Sequence, residues 1–112
     1  MGVSTHVLDT SRGHPAAGIA VTLERRAGDG WVAAGAGETD DDGRVKALLA
    51  DGTPATPGAW RLRFDVHAYF ARLGVESFYP VIEITFTMAA AQEHHHVPLL
   101  LSPYGFTTYR GT

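Results

Sequence analysis

Hydrophobic and polar residues alternate along most of this chain, in short runs that glycine, proline and aspartate interrupt. Alternation over four to eight residues is typical of a β-strand with one buried face. In the clearest run, every second residue is large and apolar: Trp60, Leu62, Phe64 and Val66. Because a strand points successive side chains to opposite faces, we expect these four residues to share a core face.

The same pattern predicts seven or eight strands, separated by turn-forming segments such as residues 27–30 and 40–43. The predicted strands cover residues 5–9, 19–24, 31–37, 44–49, 60–66, 81–88, 95–101 and 106–110. One two-turn amphipathic helix is predicted over His67 to Leu73, ending at Gly74, and a loop is predicted over residues 89–93. The sequence therefore predicts an all-β, two-sheet antiparallel sandwich with one short helix.

Length and composition narrow the class of protein. The 112 residues are enough for one core, so we expect residues 1–112 to form a single domain. The absence of cysteine excludes disulfides, thiolate nucleophiles and cysteine zinc sites, and is compatible with a reducing compartment. The formal charge is -3 and no large basic cluster is present, which argues against a surface that binds nucleic acid.

Neither a secretory signal pattern nor an apolar run of membrane-spanning length occurs in the sequence. We therefore expect a cytoplasmic protein that does not contact a membrane. A small molecule or another protein is the expected partner.

Histidine is the side chain whose charge changes near neutral pH, and the chain has six. In the run 94–96, alternation places His94 and His96 on one face of a strand and His95 on the other. His6 lies within the first predicted strand. Judged without a motif, each is more often a structural or surface residue than a catalytic one. Two further histidines match no motif: His14, in a predicted turn, and His67.

The run Asp40-Asp41-Asp42-Gly43 has some likeness to a calcium-binding loop. Such a loop needs alternating acidic ligands and a glutamate at a fixed distance, and neither is present here. The run is predicted to be a turn between two strands.

Three separated motifs resemble those of one family. The ending HHHVPLLLSPYGFTTYRGT, residues 94–112, resembles the HxHVPLLLSPYG(F/Y)(S/T)TYRG(S/T) hallmark of the transthyretin-like 5-hydroxyisourate hydrolases. STHVLDT at 4–10, followed by Gly13 and Pro15-Ala16, resembles their N-terminal signature, and 69–80 resembles their helix-to-strand signature. The chain is therefore identified as a member of this family, which implies the transthyretin fold.

The resemblance also implies site residues. His6 and His96 stand at the positions of the family's two catalytic histidines, and Arg44 stands at the position of its active-site arginine. Tyr109 and Thr112 stand where the tail lines the same pocket and binds substrate, with Thr112 replacing the more frequent serine. The resemblance implies no cofactor and no metal, and it implies a homotetramer built as a dimer of dimers.

The implied reaction is hydrolysis of 5-hydroxyisourate in urate catabolism, in which water opens the six-membered lactam ring to give 2-oxo-4-hydroxy-4-carboxy-5-ureidoimidazoline. His96 or His6 would take a proton from water. The guanidinium of Arg44 suits negative charge on the substrate oxygens, because its planar fork donates two parallel hydrogen bonds. No cysteine or Gly-x-Ser-x-Gly segment offers a covalent nucleophile.

Three alternative functions can be weighed against this reaction. A non-catalytic, transthyretin-like carrier would share the fold but lack the histidine pattern and the Tyr-Arg-Gly ending. A zinc hydrolase could use His6, His94 and His96, with water as the fourth ligand. An adhesion or carbohydrate-binding sandwich would need none of these polar residues.

Overall fold

The computed structural model describes residues 2–89 and 93–112. The strands in this part of the chain are β1 (Gly2–Asp9), β2 (His14–Pro15), β3 (Ala20–Ala27), β4 (Gly30–Glu38), β5 (Arg44–Val45), β6 (Gly58–Phe64), β7 (Ile82–Met88), β8 (His94–Ser102) and β9 (Gly105–Thr108). The helix α1 (Val66–Arg72) lies between β6 and β7. Most of the loop predicted at 89–93 falls on residues 90–92, outside the described residues.

The strands form two sheets. The first sheet has the order β2-β1-β8-β9, with β5 also paired to β1, and the second has the order β4-β3-β6-β7. The predicted sandwich is confirmed with one difference: β1 and β8 run parallel, whereas the other strand pairs of the described residues are antiparallel. A parallel pair needs a long crossover connection, and here almost the whole chain lies between the two strands.

The core lies between the two sheets. Trp60, Leu62 and Phe64 are buried there, as the alternation predicts. Val66 is also buried, but as the first residue of α1 rather than as part of the strand. From the first sheet, the core receives Val3, Val7, Val97, Leu99 and Leu101.

The strand predicted at 44–49 is wrong beyond Val45. Leu48 donates its backbone N–H to Val3 in the first sheet, and Ala50 donates its own to Ala34 in the second. The segment therefore crosses between the sheets instead of continuing a ladder. Gly35 makes this crossing possible, because a Cβ there would lie 1.6 Å from the carbonyl oxygen of Leu48.

Two smaller differences concern the ends of elements. His14 lies in the two-residue strand β2, opposite Asp9, and not in a turn. The strand was missed because Gly13 and Pro15 beside it are turn-forming residues. The helix is confirmed to within one residue at each end, and Gly74, with a φ of 68°, follows it. No helix in the described part of the chain has the length and apolar character needed to cross a membrane.

Candidate active site

A cavity of about 500 Å³ opens on the outer face of the first sheet, where β5, β1 and β8 lie side by side. We call it the histidine cavity. Its lining residues are Ser4, Thr5, Asp42, Arg44, Val45, Lys46, His94, His96 and Thr112. Its volume falls within the usual range for small-molecule sites.

The parallel pairing of β1 with β8 places the histidines. Gly2 lies opposite His94, and Ser4 lies opposite His96. Since opposite residues of a ladder point to the same face, Ser4, His94 and His96 share the outer face. His95 is buried on the core side, as the alternation predicts.

Ser4 joins the two outward histidines. Its Oγ lies 2.7 Å from Nε2 of His94 and 2.7 Å from Nδ1 of His96. The side chain of Ser4 is almost completely buried beneath them. The sequence shows Ser4 within a family motif but indicates no role for it, because its contacts depend on a strand register that joins residues some ninety positions apart.

His6 and Arg44 meet across the pairing of β1 with β5, in which they lie directly opposite each other. Arg44 lines the histidine cavity. His6 is not among the lining residues, but it stands next to them, on the same face of β1 as Ser4. The structure thus brings His6, Arg44 and His96 together.

The turn before Arg44 is fixed by its own backbone. One carboxylate oxygen of Asp40 accepts the backbone N–H groups of Asp42 and Arg44, each at 2.9 Å. The hydrogen bond from Arg44 is the main reason why the pKa of Asp40 lies below its ordinary value. Gly43 follows with a φ of 74°, and a Cβ there would lie 2.4 Å from the carbonyl oxygen of Val7. The sequence therefore holds Arg44 against β1.

Both candidate catalytic histidines have a pKa below the ordinary value of 6.5. For His96 the causes are burial first, then the charges of Arg44, His6 and His94. For His6 the causes are burial and Arg44, opposed by a backbone hydrogen bond with Asp42 and by nearby aspartates. Both rings are therefore neutral at pH 7 and can accept a proton.

The C-terminal residues Gly111 and Thr112 close one side of the site. Gly111 donates its backbone N–H to the carbonyl oxygen of His96 at 2.8 Å, and Thr112 lines the histidine cavity. A Cβ at Gly111 would lie 2.5 Å from Cδ2 of His96 and 3.0 Å from Cγ of Pro98. Only glycine lets the tail lie this close to the ring.

Tyr109 lies elsewhere. It is exposed and lines a second cavity of about 280 Å³, which we call the edge cavity. The edge cavity is lined by Ile84, Thr85, Phe86, Thr87, His95, His96, Val97, Thr108, Tyr109 and Arg110. Within one chain, the structure does not bring Tyr109 into the histidine cavity.

The zinc hydrolase considered from the sequence requires three histidines grouped around one metal ion. Among residues 2–89 and 93–112, no three or more histidine, aspartate or glutamate side chains are grouped so that they could hold a metal ion. The proposed ligands His6, His94 and His96 are near one another but do not form such a group.

Comparison with known proteins places this chain in a family. The model of the HIUase/Transthyretin family matches residues 3–111. The chain belongs to this family. The 5-hydroxyisourate hydrolase of Salmonella dublin is 44% identical over 110 residues, which are 98% of this chain and 80% of the relative. The sequence resemblance is thereby confirmed.

Two solved structures show the breadth of the fold. The structure of Klebsiella pneumoniae 5-hydroxyisourate hydrolase matches with a TM-score of 0.83 and 35% identity, covering 100% of both chains. Sea bream transthyretin in complex with thyroxine matches with a TM-score of 0.91 and 29% identity, covering 100% of this chain and 96% of the other. The backbone alone therefore does not separate a hydrolase from a protein that binds thyroxine, and the side chains of the site must do so.

Proposed function

We propose that this protein hydrolyses 5-hydroxyisourate to 2-oxo-4-hydroxy-4-carboxy-5-ureidoimidazoline in urate degradation. The observation that carries the proposal is that His96 and Arg44 line one cavity, while His6 lies directly opposite Arg44 on β1, with the pKa of both histidines below 6.5. The name of the Salmonella dublin relative, at 44% identity, supports the same reaction. We further propose that residues 1–112 act as a single cytoplasmic domain without a cofactor.

The proposed mechanism is general acid–base catalysis. His96 takes a proton from water, and the resulting hydroxide attacks the lactam carbonyl carbon. The bond from that carbon to the ring nitrogen then breaks, and the nitrogen takes the proton back from His96. Such proton transfer contributes roughly 100- to 10,000-fold to a rate.

Arg44 and the tail would bind the substrate. The guanidinium of Arg44 donates to the oxygens on which negative charge develops during attack. Thr112 offers its hydroxyl from the opposite end of the chain, and Lys46 supplies a second cation in the lining. His6 stands beside Arg44 and would assist the same proton transfers.

A carrier is the second candidate, because sea bream transthyretin has the same fold and is named in complex with thyroxine. Carriage of a ligand requires no proton acceptor. The neutral histidines beside Arg44 therefore favour catalysis over carriage.

We also propose that the protein is a homotetramer, a dimer of dimers. The edge strands β7 and β9 lie at the same end of the sandwich, on either side of the edge cavity. Exposed aromatic side chains, including Phe106 and Tyr109, accompany this open edge. Edge strands expose unpaired backbone groups that a second chain can cover. Tyr109 would then contact substrate from a neighbouring subunit.

The test is an ultraviolet assay of 5-hydroxyisourate freshly generated by oxidation of urate. The wild-type protein should accelerate its decay, and His96→Ala should lower kcat/KM by at least about 100-fold while the protein stays folded. His67→Ala is the matched control, because His67 is exposed on α1 and does not line the histidine cavity. Wild-type kcat/KM in His96→Ala would disprove the assignment of the base, and ligand binding without turnover would favour the carrier.

A further inference from the structure

The hydroxyl of Ser4 has two histidine nitrogens within hydrogen-bond distance but only one proton to donate. Nε2 of His94 and Nδ1 of His96 are both 2.7 Å from Oγ. If Ser4 donates to one neutral ring, the other ring must donate an N–H to Ser4. The proton positions of His94 and His96 are therefore linked through a single oxygen.

The His96 ring is held along two of its edges. Ser4 occupies Nδ1, and Gly111 packs so closely that a Cβ would lie 2.5 Å from Cδ2. Only the edge formed by Cε1 and Nε2 is left for a molecule in the histidine cavity. Nε2 is thus the atom that can exchange a proton with substrate or water.

While Ser4 donates its proton to one of the two rings, the hydrogen-bond chain has two possible directions. If His96 Nδ1–H donates to Ser4 and Ser4 donates to His94 Nε2, then Nε2 of His96 presents a lone pair. If His94 Nε2–H donates to Ser4 and Ser4 donates to His96 Nδ1, then Nε2 of His96 carries a proton and cannot act as a base. The direction of the chain decides the chemistry of His96.

We propose that Ser4 and His94 are positioning residues that hold neutral His96 with its proton on Nδ1 and a lone pair on Nε2. The role in catalysis rests on the proposed function, whereas the proton position is a property of the free protein. Arg44 lines the same cavity, and a cation there attracts a lone pair and repels an N–H.

The proton balance is simple in this arrangement. Water gives one proton to Nε2 of His96, and the departing ring nitrogen later takes that proton from the same atom. The proton on Nδ1 stays in place, and its hydrogen bond to Ser4 stabilises the charged ring between the two steps. Ser4 and His94 end the cycle as they began it.

Nitrogen-15 NMR of histidine-labelled protein tests the proposal without substrate. Two-bond proton–nitrogen correlations at a pH above 7 distinguish the two neutral forms of each assigned ring. In the wild type, we expect both His96 and His94 to carry the proton on Nδ1. Ser4→Thr keeps the hydroxyl and should keep this pattern, whereas Ser4→Ala should move the proton of His96 to Nε2 in most molecules.

Kinetics supply the second readout. Ser4→Ala should lower kcat/KM by at least about tenfold, and Ser4→Thr should restore most of it. Ser77→Ala is the matched control, because Ser77 lies between α1 and β7 and does not line the histidine cavity. It should leave both the spectra and kcat/KM unchanged.

The outcomes separate this inference from the proposed function. A wild-type His96 with its proton on Nε2, or a Ser4→Ala spectrum identical to the wild type, would overturn the inference even if the protein hydrolyses 5-hydroxyisourate. The expected spectra together with no turnover would support the proton position and refute the proposed reaction. The wild-type spectrum decides the point even if Ser4→Ala fails to fold.

Discussion

The positive charge of Arg44 lowers the pKa of both His6 and His96. The pH dependence of the reaction should therefore change when Arg44 is replaced. Burial and Arg44 hold the pKa of His6 and His96 below 6.5. A base works only when it is unprotonated, so kcat/KM should fall on acidification with a midpoint below pH 6.5 and should become level at higher pH.

Arg44→Gln removes one of the causes that lower these pKa values, so the acid limb should move to higher pH. Arg44→Lys keeps the positive charge and should leave the limb near its wild-type position. The measurement is the pH profile of kcat/KM for the three proteins. A wild-type midpoint above 6.5 would contradict the assignment of either histidine as the base.

The Arg44→Lys variant should nevertheless have low activity, because charge is only part of the contribution of Arg44 to substrate binding and catalysis. The planar guanidinium donates two parallel hydrogen bonds, which the single ammonium of lysine cannot reproduce. We expect a loss of at least about tenfold in kcat/KM, equivalent to about 1.4 kcal/mol. Arg44 is exposed at the start of a two-residue strand, so the melting temperature should change little.

Arg63→Lys is the control for that substitution, because Arg63 is an exposed arginine on β6 of the second sheet, paired with Glu83. It should keep wild-type kcat/KM. Full activity in Arg44→Lys would show that Arg44 acts by charge alone. A collapsed melting temperature would show that its role is structural.

Sequence motifs identify side chains that have their own chemistry, but they miss residues that act through position. His6, Arg44 and His96 could be named from the sequence because they stand at the positions of the family's site residues, and the structure brings them together. Ser4 acts only once a parallel register sets it opposite His96. Gly111 acts by lacking a side chain, and that effect is visible only when the neighbouring ring is in place.

At the scale of elements, α1 is fastened to β1 by a buried hydrogen bond. The hydroxyl of Tyr69 donates to Oδ2 of Asp9 at 2.8 Å, and Asp9 is 0% exposed. Tyr69→Phe would leave that buried oxygen without its donor, at a cost of about 1–3 kcal/mol in the free energy of unfolding. Urea denaturation measures this cost, and kcat/KM should change little because Tyr69 does not line the histidine cavity.

Tyr104→Phe provides the comparison, since Tyr104 is exposed and its hydroxyl contacts Glu76 at the surface. It should change the free energy of unfolding by less than about 0.5 kcal/mol. Equal unfolding curves for the two variants would show that the contact between Tyr69 and Asp9 contributes no net stability.

The elements that were predicted correctly are those whose pairing agrees with their local pattern. In β6, every second residue from Trp60 to Phe64 is apolar and buried, so alternation and structure coincide. The segment 46–50 continues the chain after β5, but its backbone donates hydrogen bonds to both sheets, and no local pattern reports that. The pairing of β1 with β8 is invisible for the same reason, because residues distant in sequence decide it.

At the scale of the whole molecule, similarity of shape does not follow similarity of function. Sea bream transthyretin has the higher TM-score of the two structures compared, 0.91 against 0.83, yet the lower identity, 29% against 35%. Both structures share the sandwich with this chain, so the fold alone does not decide the function. A hydrolase and a protein that binds thyroxine can therefore share a backbone, and their side chains must account for the difference.

At the end of the sandwich where β7 and β9 are edge strands, the sheets are open to association with other subunits. We expect light scattering to give a mass of about 48 kDa, four times the 12.0 kDa of one chain. The edges of β7 and β9 lie on either side of the edge cavity. Phe106 lies on β9 and is 40% exposed. An apolar ring at an unpaired edge is stabilised when a second chain covers it.

Phe106→Glu should therefore lower the mass below that of the tetramer, because association would bury an unpaired carboxylate. Val32→Glu is the matched control: Val32 is 41% exposed, on β4, the edge strand at the opposite end of the second sheet. It should leave the mass unchanged. If Tyr109 reaches substrate only from a neighbouring subunit, Phe106→Glu should also lower kcat/KM, whereas Val32→Glu should not. A fully active single chain would contradict both the tetramer and the shared site.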